Sequence, residues 1–362
     1  GCNASKYGMI GNEDGYFPLS QLQEIKVSPQ NSVYSSPGNN VLINKKTNKL
    51  LKVTEKSTSV TIPSYITSIG SCAFYGCSGL TSIVIPESVT SIGDGAFRGC
   101  SSLTSIRIPS GVTSIGEWEF CDCSSLTSIE IPSGVTSISV GEFYGCSSLT
   151  SIKIPSGQKN IPSSAFGGCS SLTSIKIPDG VTNIENSAFG GCSSLKSIEI
   201  PNGVRHIWGS AFAGCSGLKS IKIPASVEII EISILDGGHA FAGCSGLEKI
   251  IVDSNNKRYN SNGGCNAIIE TRTNELILGC KNTRIPSNIT SIGSCAFSGC
   301  SGLTNITIPA GVTEIGKKAF YDCKGLKSIE IPASVTKIYE NDPLSIDYKL
   351  GSFYKSGLKT IY

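Results

Sequence analysis

The stretch CSSLTSIKIPDGVTNIENSAF, residues 169–189, decides the fold, because 23 residues further on the chain reads CSSLKSIEIPNGVRHIWGSAF, residues 192–212. The same step separates the motif prolines Pro63, Pro86, Pro109, Pro132, Pro155, Pro178, Pro201 and Pro224, and it resumes at Pro286, Pro309 and Pro332. Phe74, Phe97, Phe120, Phe143, Phe166, Phe189 and Phe212 keep the same beat. A fixed period of 20 to 29 residues is the signature of a leucine-rich-repeat solenoid.

The spacing inside one unit predicts its local structure. In LTSIKIP, residues 172–178, Ile175 and Ile177 alternate with Ser174 and Lys176. That pattern reads as a strand with one buried face. Pro178 cannot donate to a ladder and presets φ for a turn, and Pro-Asp-Gly suits a type I turn with proline second and glycine fourth. Val181 and Ile184 form a second short extended segment, and Ala188 and Phe189 follow in a tight helical or 3-10 turn. Each unit has about seven apolar positions, too few to close a core alone, so stacking of neighbours is itself the folding mechanism. The fold class expected is mostly β: a leucine-rich-repeat solenoid with short 3-10 or helical turns.

The frame GCSSLTSIKIPDGVTNI-x4-AF, copied about eleven times over roughly residues 60–335, resembles the BspA-type leucine-rich repeats of bacterial and protozoan surface proteins. The resemblance implies a right-handed, largely β solenoid on the outside of a cell. Some relatives are implicated in adhesion to host matrix proteins or to other cells. The resemblance brings no catalytic residues and no cofactor.

The array is interrupted once, and the interruption has a twin. IKVSPQNSVY, residues 25–34, aligns with IIVDSNNKRY, residues 250–259, and NVLINKKTNKLLK, residues 40–52, aligns with NAIIETRTNELIL, residues 266–278. Both second halves read as a hairpin, about Lys46-Thr47 and about Arg272-Thr273. The expected organisation is an N-terminal cap repeat and hairpin unit at 1–62 and a first array at 63–246. A second hairpin unit follows at 247–285, then a second array and C-terminal cap at 286–362, all in one continuous solenoid. Tyr16, Leu19, Leu22 and Ile25 repeat the spacing of Phe97, Cys100, Leu103 and Ile106, as a degenerate capping repeat should. Two insertions, at 228–238 and 339–351, are either tolerated surface loops or part of a binding face. The final LKTIY is either a worn cap or a point from which the native chain continues.

Composition narrows the function. Only 16% of residues are charged and the net charge is +3. No basic block appears, so nucleic acid is not an expected partner, and no apolar run reaches transmembrane length. Cys2 leaves two readings open, the lipidated first residue of a bacterial lipoprotein or an ordinary terminus. Ten of the 16 cysteines stand in the repeat frame, among them Cys77, Cys100, Cys192 and Cys323. They read as a column of buried thiols, since free cysteine packs as a small apolar residue; disulfides between units would distort an even stack. Six are off the frame: Cys2, Cys72, Cys121, Cys265, Cys280 and Cys295. Cys265 and Cys280 lie equally far from Arg272-Thr273, so a two-residue loop would set them opposite each other as a cross-strand pair, bonded or not. No CxxC occurs and no metal site is expected.

Catalytic patterns are missing. His206 and His239 read as exposed variants of the repeat, with no nucleophile motif beside them. Glu130 and Glu199 recur in a column, but nothing makes them a converging pair of the kind glycosidases need. No enzyme activity is expected. What varies is the strand face: Val84, Arg107, Glu130, Lys153, Lys176, Glu199, Lys222, Thr307 and Glu330, beside a stripe of serines. Trp118 and Trp208 stand at variable positions near the Ala-Phe turn, with Tyr75, Tyr144 and Tyr321 as further aromatics, and such side chains anchor interfaces. Three functions follow: a secreted or cell-surface module binding protein or mediating adhesion, a glycan- or mucin-binding module, or a passive spacer. The partner expected is an extracellular protein or glycan, met by a monomer.

Overall fold

A computed structural model describes residues 23–231, 239–339 and 351–361. The expected degenerate repeat at Tyr16, Leu19 and Leu22, the Cys2 terminus, and most of both insertions lie outside the described residues. The chain divides into two compact units, residues 1–135 and 136–362.

In the first unit a hairpin module opens the sheet. β1 (Tyr34–Ser35), β2 (Val41–Asn44) and β3 (Lys49–Val53) pair antiparallel, and β3 then pairs parallel with β4 (Ser68–Ile69), which pairs with β6 (Ser91–Ile92). A second sheet joins β5 (Ser82–Val84), β7 (Ser105–Arg107) and β8 (Ser128–Glu130), all parallel. Its register, Ser82 to Ser105 to Ser128, is the sequence period turned into a ladder.

The second unit repeats this plan. β9 (Asn160–Ile161), β10 (Asn183–Ile184), β11 (His206–Ile207) and β13 (Ile229–Ile230) form a parallel ladder one period per rung. β12 (Ser220–Ile223) pairs with β14 (Lys249–Val252). The second hairpin module is β15 (Tyr259–Asn260), β16 (Ala267–Glu270) and β17 (Glu275–Gly279), continued in parallel by β18 (Ser291–Ile292), β19 (Glu314–Ile315) and β21 (Lys337–Ile338). β20 (Ser328–Ile329) pairs with β22 (Thr360–Ile361), so the chain re-enters register after the 339–351 insertion. The fold is a mostly β solenoid of stacked coils, as the period predicts. Only two 3-10 helices appear among the described residues, Pro37–Asn39 and Asn262–Gly264, one in each hairpin module.

Two local expectations change. Residues 172–178 keep the predicted alternation, with Ile175 and Ile177 buried and Lys176 exposed, but the regular ladder in that part of the chain runs through β9, β10, β11 and β13. Alternation reports burial and not hydrogen bonding, so it finds the buried face without deciding which extended segment carries the ladder. The proline turn also starts one residue later than expected. The N–H of Val181 donates to the Pro178 carbonyl at 3.1 Å, and the same bond recurs from Val89 to Pro86 and from Val204 to Pro201. Proline is therefore the first residue of the turn, where only its carbonyl is used.

The core is built in columns. The phenylalanine rings stack, Phe74 on Phe97 at 4.8 Å in the first unit and Phe166 on Phe189 and Phe189 on Phe212 at 5.4 Å in the second. Two residues after each phenylalanine the backbone turns left-handed, with φ of +74° to +78° at Gly145, Gly168, Gly191 and Gly214. L side chains avoid that region, and Asp122, Asp322 and Lys355 are the exceptions.

Candidate interaction surface

The frame cysteines tie each coil to the one before it. The Cys192 thiol donates to the Phe166 carbonyl of the preceding coil at 3.2 Å, and Cys100, Cys169, Cys215 and Cys244 make the same bond. A small apolar residue that still donates one weak hydrogen bond suits this position. Burial pushes the Cys77, Cys215 and Cys300 thiols up to about 12. A raised pKa disfavours the reactive thiolate, and Cys77, Cys215 and Cys300 form no disulfide.

The strand face is the opposite case, fixed in backbone and variable in side chain. In the first unit Val84, Arg107 and Glu130 are register partners on adjacent rungs. Arg107 bonds the Glu87 carboxylate of the preceding turn. Hydrogen bonding from Arg107 holds the Glu87 carboxyl below its ordinary range. In the second unit Lys153, Lys176 and Glu199 are exposed, with no ion-pair partner among the described residues. Lys222 pairs in register with Ile251 and lies 3.5 Å from Asp253. The structure thus brings Arg107 beside Glu130, leaves Lys153, Lys176 and Glu199 open to solvent, and ties Lys222 to an acid.

The aromatic sites differ in kind. Trp118 is half-buried with φ +59°. Trp208 is half-buried, its indole Nε1 is enclosed without a hydrogen-bond partner, and the His206 ring meets it edge-on at 5.9 Å. Tyr75 is exposed, with the Arg98 guanidinium 5.8 Å from its ring centre.

Two readings are corrected. His239 is not an exposed variant: it is fully buried, its Nδ1 accepts the Phe241 N–H at 3.2 Å, and burial pushes its pKa down to about 4. It stands two residues before phenylalanine, where other coils hold residues as different as Gly95, Trp118, Ser187 and Lys318, and that position faces inward here. Cys265 and Cys280 are not opposite each other. The turn is centred where expected, on Arg272-Thr273, but four residues separate β16 from β17, and a bulge shifts the register so that Ala267 faces Gly279. Cys280 accordingly falls opposite Asn266, whose carbonyl accepts from its thiol at 3.6 Å. The first hairpin carries the same bulge between Leu42 and Ile43.

Sequence reasoning passed over Glu119 and Glu142, which occupy the buried alanine position before phenylalanine. Both are fully buried. The Ala96 N–H donates to Glu119 at 3.3 Å and the Ser139 N–H to Glu142 at 2.7 Å. Burial pushes the Glu142 carboxyl up to about 8. The signal was present: WEF and GEF replace the xAF of the neighbouring repeats.

With this geometry the comparisons agree. The family model for the BspA type leucine rich repeat region matches residues 47–172, 137–263 and 267–342, and the chain belongs to that family. Its structure is similar to that of a leucine rich cell surface protein from Faecalibacterium prausnitzii, at 25% identity and a TM-score of 0.56, over 92% of this chain and 95% of that one. It is also similar to a leucine-rich repeat protein from Bacteroides ovatus, at 26% identity and a TM-score of 0.44 over 86% and 94%. A Treponema pallidum leucine rich repeat protein shares 31% identity, with a TM-score of 0.44 over 51% of this chain and 86% of that one. No curated protein matches the chain. No helix among the described residues is long and apolar enough to cross a membrane.

Proposed function

We propose that the chain is a non-catalytic cell-surface or secreted repeat protein that binds a protein ligand through its strand face, as a monomer. The carrying observation is the contrast between columns. The Phe, Cys and Leu positions are buried and uniform, whereas the strand face varies in charge along a fixed ladder and leaves Lys153 and Lys176 unpaired. A surface of that kind is free to change without cost to the fold, which is what recognition needs. The structural likeness to a bacterial leucine rich cell surface protein supports the location.

The test is a binding screen of the intact chain against immobilised extracellular-matrix proteins and mucins, with Lys153→Glu/Lys176→Glu in parallel. A specific protein ligand whose binding weakens about tenfold in the variant and falls with added salt supports the strand face. Binding that the double variant leaves unchanged moves the site elsewhere, and no ligand at micromolar concentration leaves a spacer.

A further inference from the structure

We propose a second binding surface, for a sulfated polysaccharide, on the coils at residues 316–327 and 351–359. It uses positions other than the strand-face column, so it stands or falls apart from the reading above.

The first observation is charge. The two segments carry Lys317, Lys318, Lys324, Lys327, Lys355 and Lys359 against one carboxylate, Asp322. That is a net +5 where the whole chain is +3, so everything else together is −2. The sequence hides this concentration, because the two segments are separated by the 339–351 insertion. The part of that insertion at 340–350, outside the described residues, contributes Glu340, Asp342, Asp347 and Lys349 to the remainder.

The second observation is arrangement. Phe353 stacks on Phe320 at 5.3 Å with the rings 1° from parallel, and this register sets Tyr354 on Tyr321 at 5.9 Å. The Lys318 ammonium lies 5.6 Å from the centre of the Tyr321 ring. The Lys355 ammonium lies 5.9 Å from Tyr321 and 5.8 Å from Tyr354. The tyrosines therefore gather two ammonium groups that would otherwise spread into water. On the same coils the Lys359 N–H donates to the Lys327 carbonyl at 3.0 Å, so those two exposed lysines leave neighbouring rungs. The one acid is already engaged, with Asp322 3.1 Å from Lys324.

The third observation is position. Lys318 stands two residues before Phe320 and Lys355 two residues after Phe353, with φ of +55° and +56°. The frame turns left-handed at both places whatever the residue, as at Cys72, Trp118, Ser164 and Ser187 before phenylalanine and at Asp122 and Asp322 after it, so the backbone fixes where both lysine stems leave their coils.

Several fixed ammonium groups at coil spacing suit a linear polyanion carrying repeated sulfates. All six cations of these segments are lysines, compact point charges suited to sulfate oxygens, with none of the arginines that add stacking to base recognition, and this favours a sulfated sugar chain over single-stranded nucleic acid.

The experiment measures binding of the intact chain to heparin, the probe, at about 0.15 M salt. It is run beside heparin stripped of its sulfates and a DNA oligonucleotide of matched charge. Lys318→Glu/Lys355→Glu is compared with Lys153→Glu/Lys176→Glu, which makes the same change in charge elsewhere. The expected result is heparin binding that weakens about tenfold or more in the first variant, changes less than about twofold in the second, and vanishes without sulfate. Circular dichroism checks the fold of each variant, and Lys318→Gln/Lys355→Gln carries the comparison if the glutamates disturb it. No binding to heparin, equal losses in the two variants, or oligonucleotide binding as tight as heparin binding would each overturn the proposal.

Discussion

Replacing Glu142 with glutamine should stabilise the protein, and more so as the pH rises. The carboxyl is fully buried, one oxygen accepts the Ser139 N–H, and the other has no hydrogen-bond partner. Burial raises its pKa from 4.5 to about 8. A raised carboxyl binds its proton more tightly in the folded state than in the unfolded one. Its contribution is therefore fully present below pH 4.5 and is lost progressively as the pH rises to about 8, after which nothing further is lost. At about 1.4 kcal/mol per pH unit the whole swing is roughly 5 kcal/mol, and roughly 3 kcal/mol of it is gone by pH 7. Glutamine keeps the shape of the protonated acid and an oxygen for the Ser139 N–H, but it cannot ionise. Urea unfolding of both proteins from pH 4.5 to 9 should show equal stability, within about 1 kcal/mol, at the acid end. The gap should then open in favour of Glu142→Gln towards pH 8. Because every other titrating group is shared, the gap isolates this one carboxyl. Parallel pH profiles, or a variant weaker than the wild type at pH 8, would refute the argument that the side chain remains buried.

His239 should act in the opposite sense: its pKa falls from 6.5 to about 4, so the stability it allows is present above pH 6.5 and drains as the pH drops towards 4. The stability of His239→Ser relative to the wild type should rise by roughly 3 kcal/mol between neutrality and pH 4, on top of a pH-independent cost for the cavity left by the ring, read by the same unfolding series. Among the described cysteines Cys72 alone is exposed, so a thiol reagent should modify it in the native state and reach the buried columns only after unfolding. Cys72→Gly should remove that fast reaction and fit the φ of +54° there, where Gly95 stands in the next coil of the repeat frame. Tyr259→Phe should cost about 1–3 kcal/mol in thermal unfolding, because the Tyr259 hydroxyl accepts the buried Ile230 N–H at 3.0 Å and phenylalanine would leave that donor unpaired.

What the sequence made legible was the part of the molecule set by repetition. Phe189 and Cys192 could be assigned to the core because each sits in a column, and a column can be read from a period. The hairpin turns at Lys46-Thr47 and Arg272-Thr273 were legible for a related reason, since two copies of one module checked each other. The bulge that offsets Cys265 from Cys280 was not, because counting residues back from a turn assumes an unbroken register and an extra residue in one strand leaves no mark in composition. His239 failed differently: polarity argues for solvent, and only tertiary packing shows that its ring is fully enclosed at a position half-buried in coils such as those of Ser187 and Ser210. The surface around Tyr321 and Tyr354 escaped because its lysines come from segments separated by an insertion, and a scan along the chain averages over that distance.

These failures share a cause that also bears on function. A repeat frame constrains the residues that must match from one coil to the next, so departures from it are costly and demand a reason. Glu142 and His239 in buried positions are departures of that sort. Arg107, Lys153 and Lys176 are not, because the strand face imposes no residue type and variation there is free. Variation at a free position is compatible with a ligand but does not demand one, whereas lysines gathered from two coils over a pair of stacked tyrosines form a definite arrangement that a ligand can use. For that reason heparin binding by the Lys318 and Lys355 coils is the sharper test of whether this solenoid recognises anything. The strand-face variant serves there as the control that separates a built surface from general positive charge.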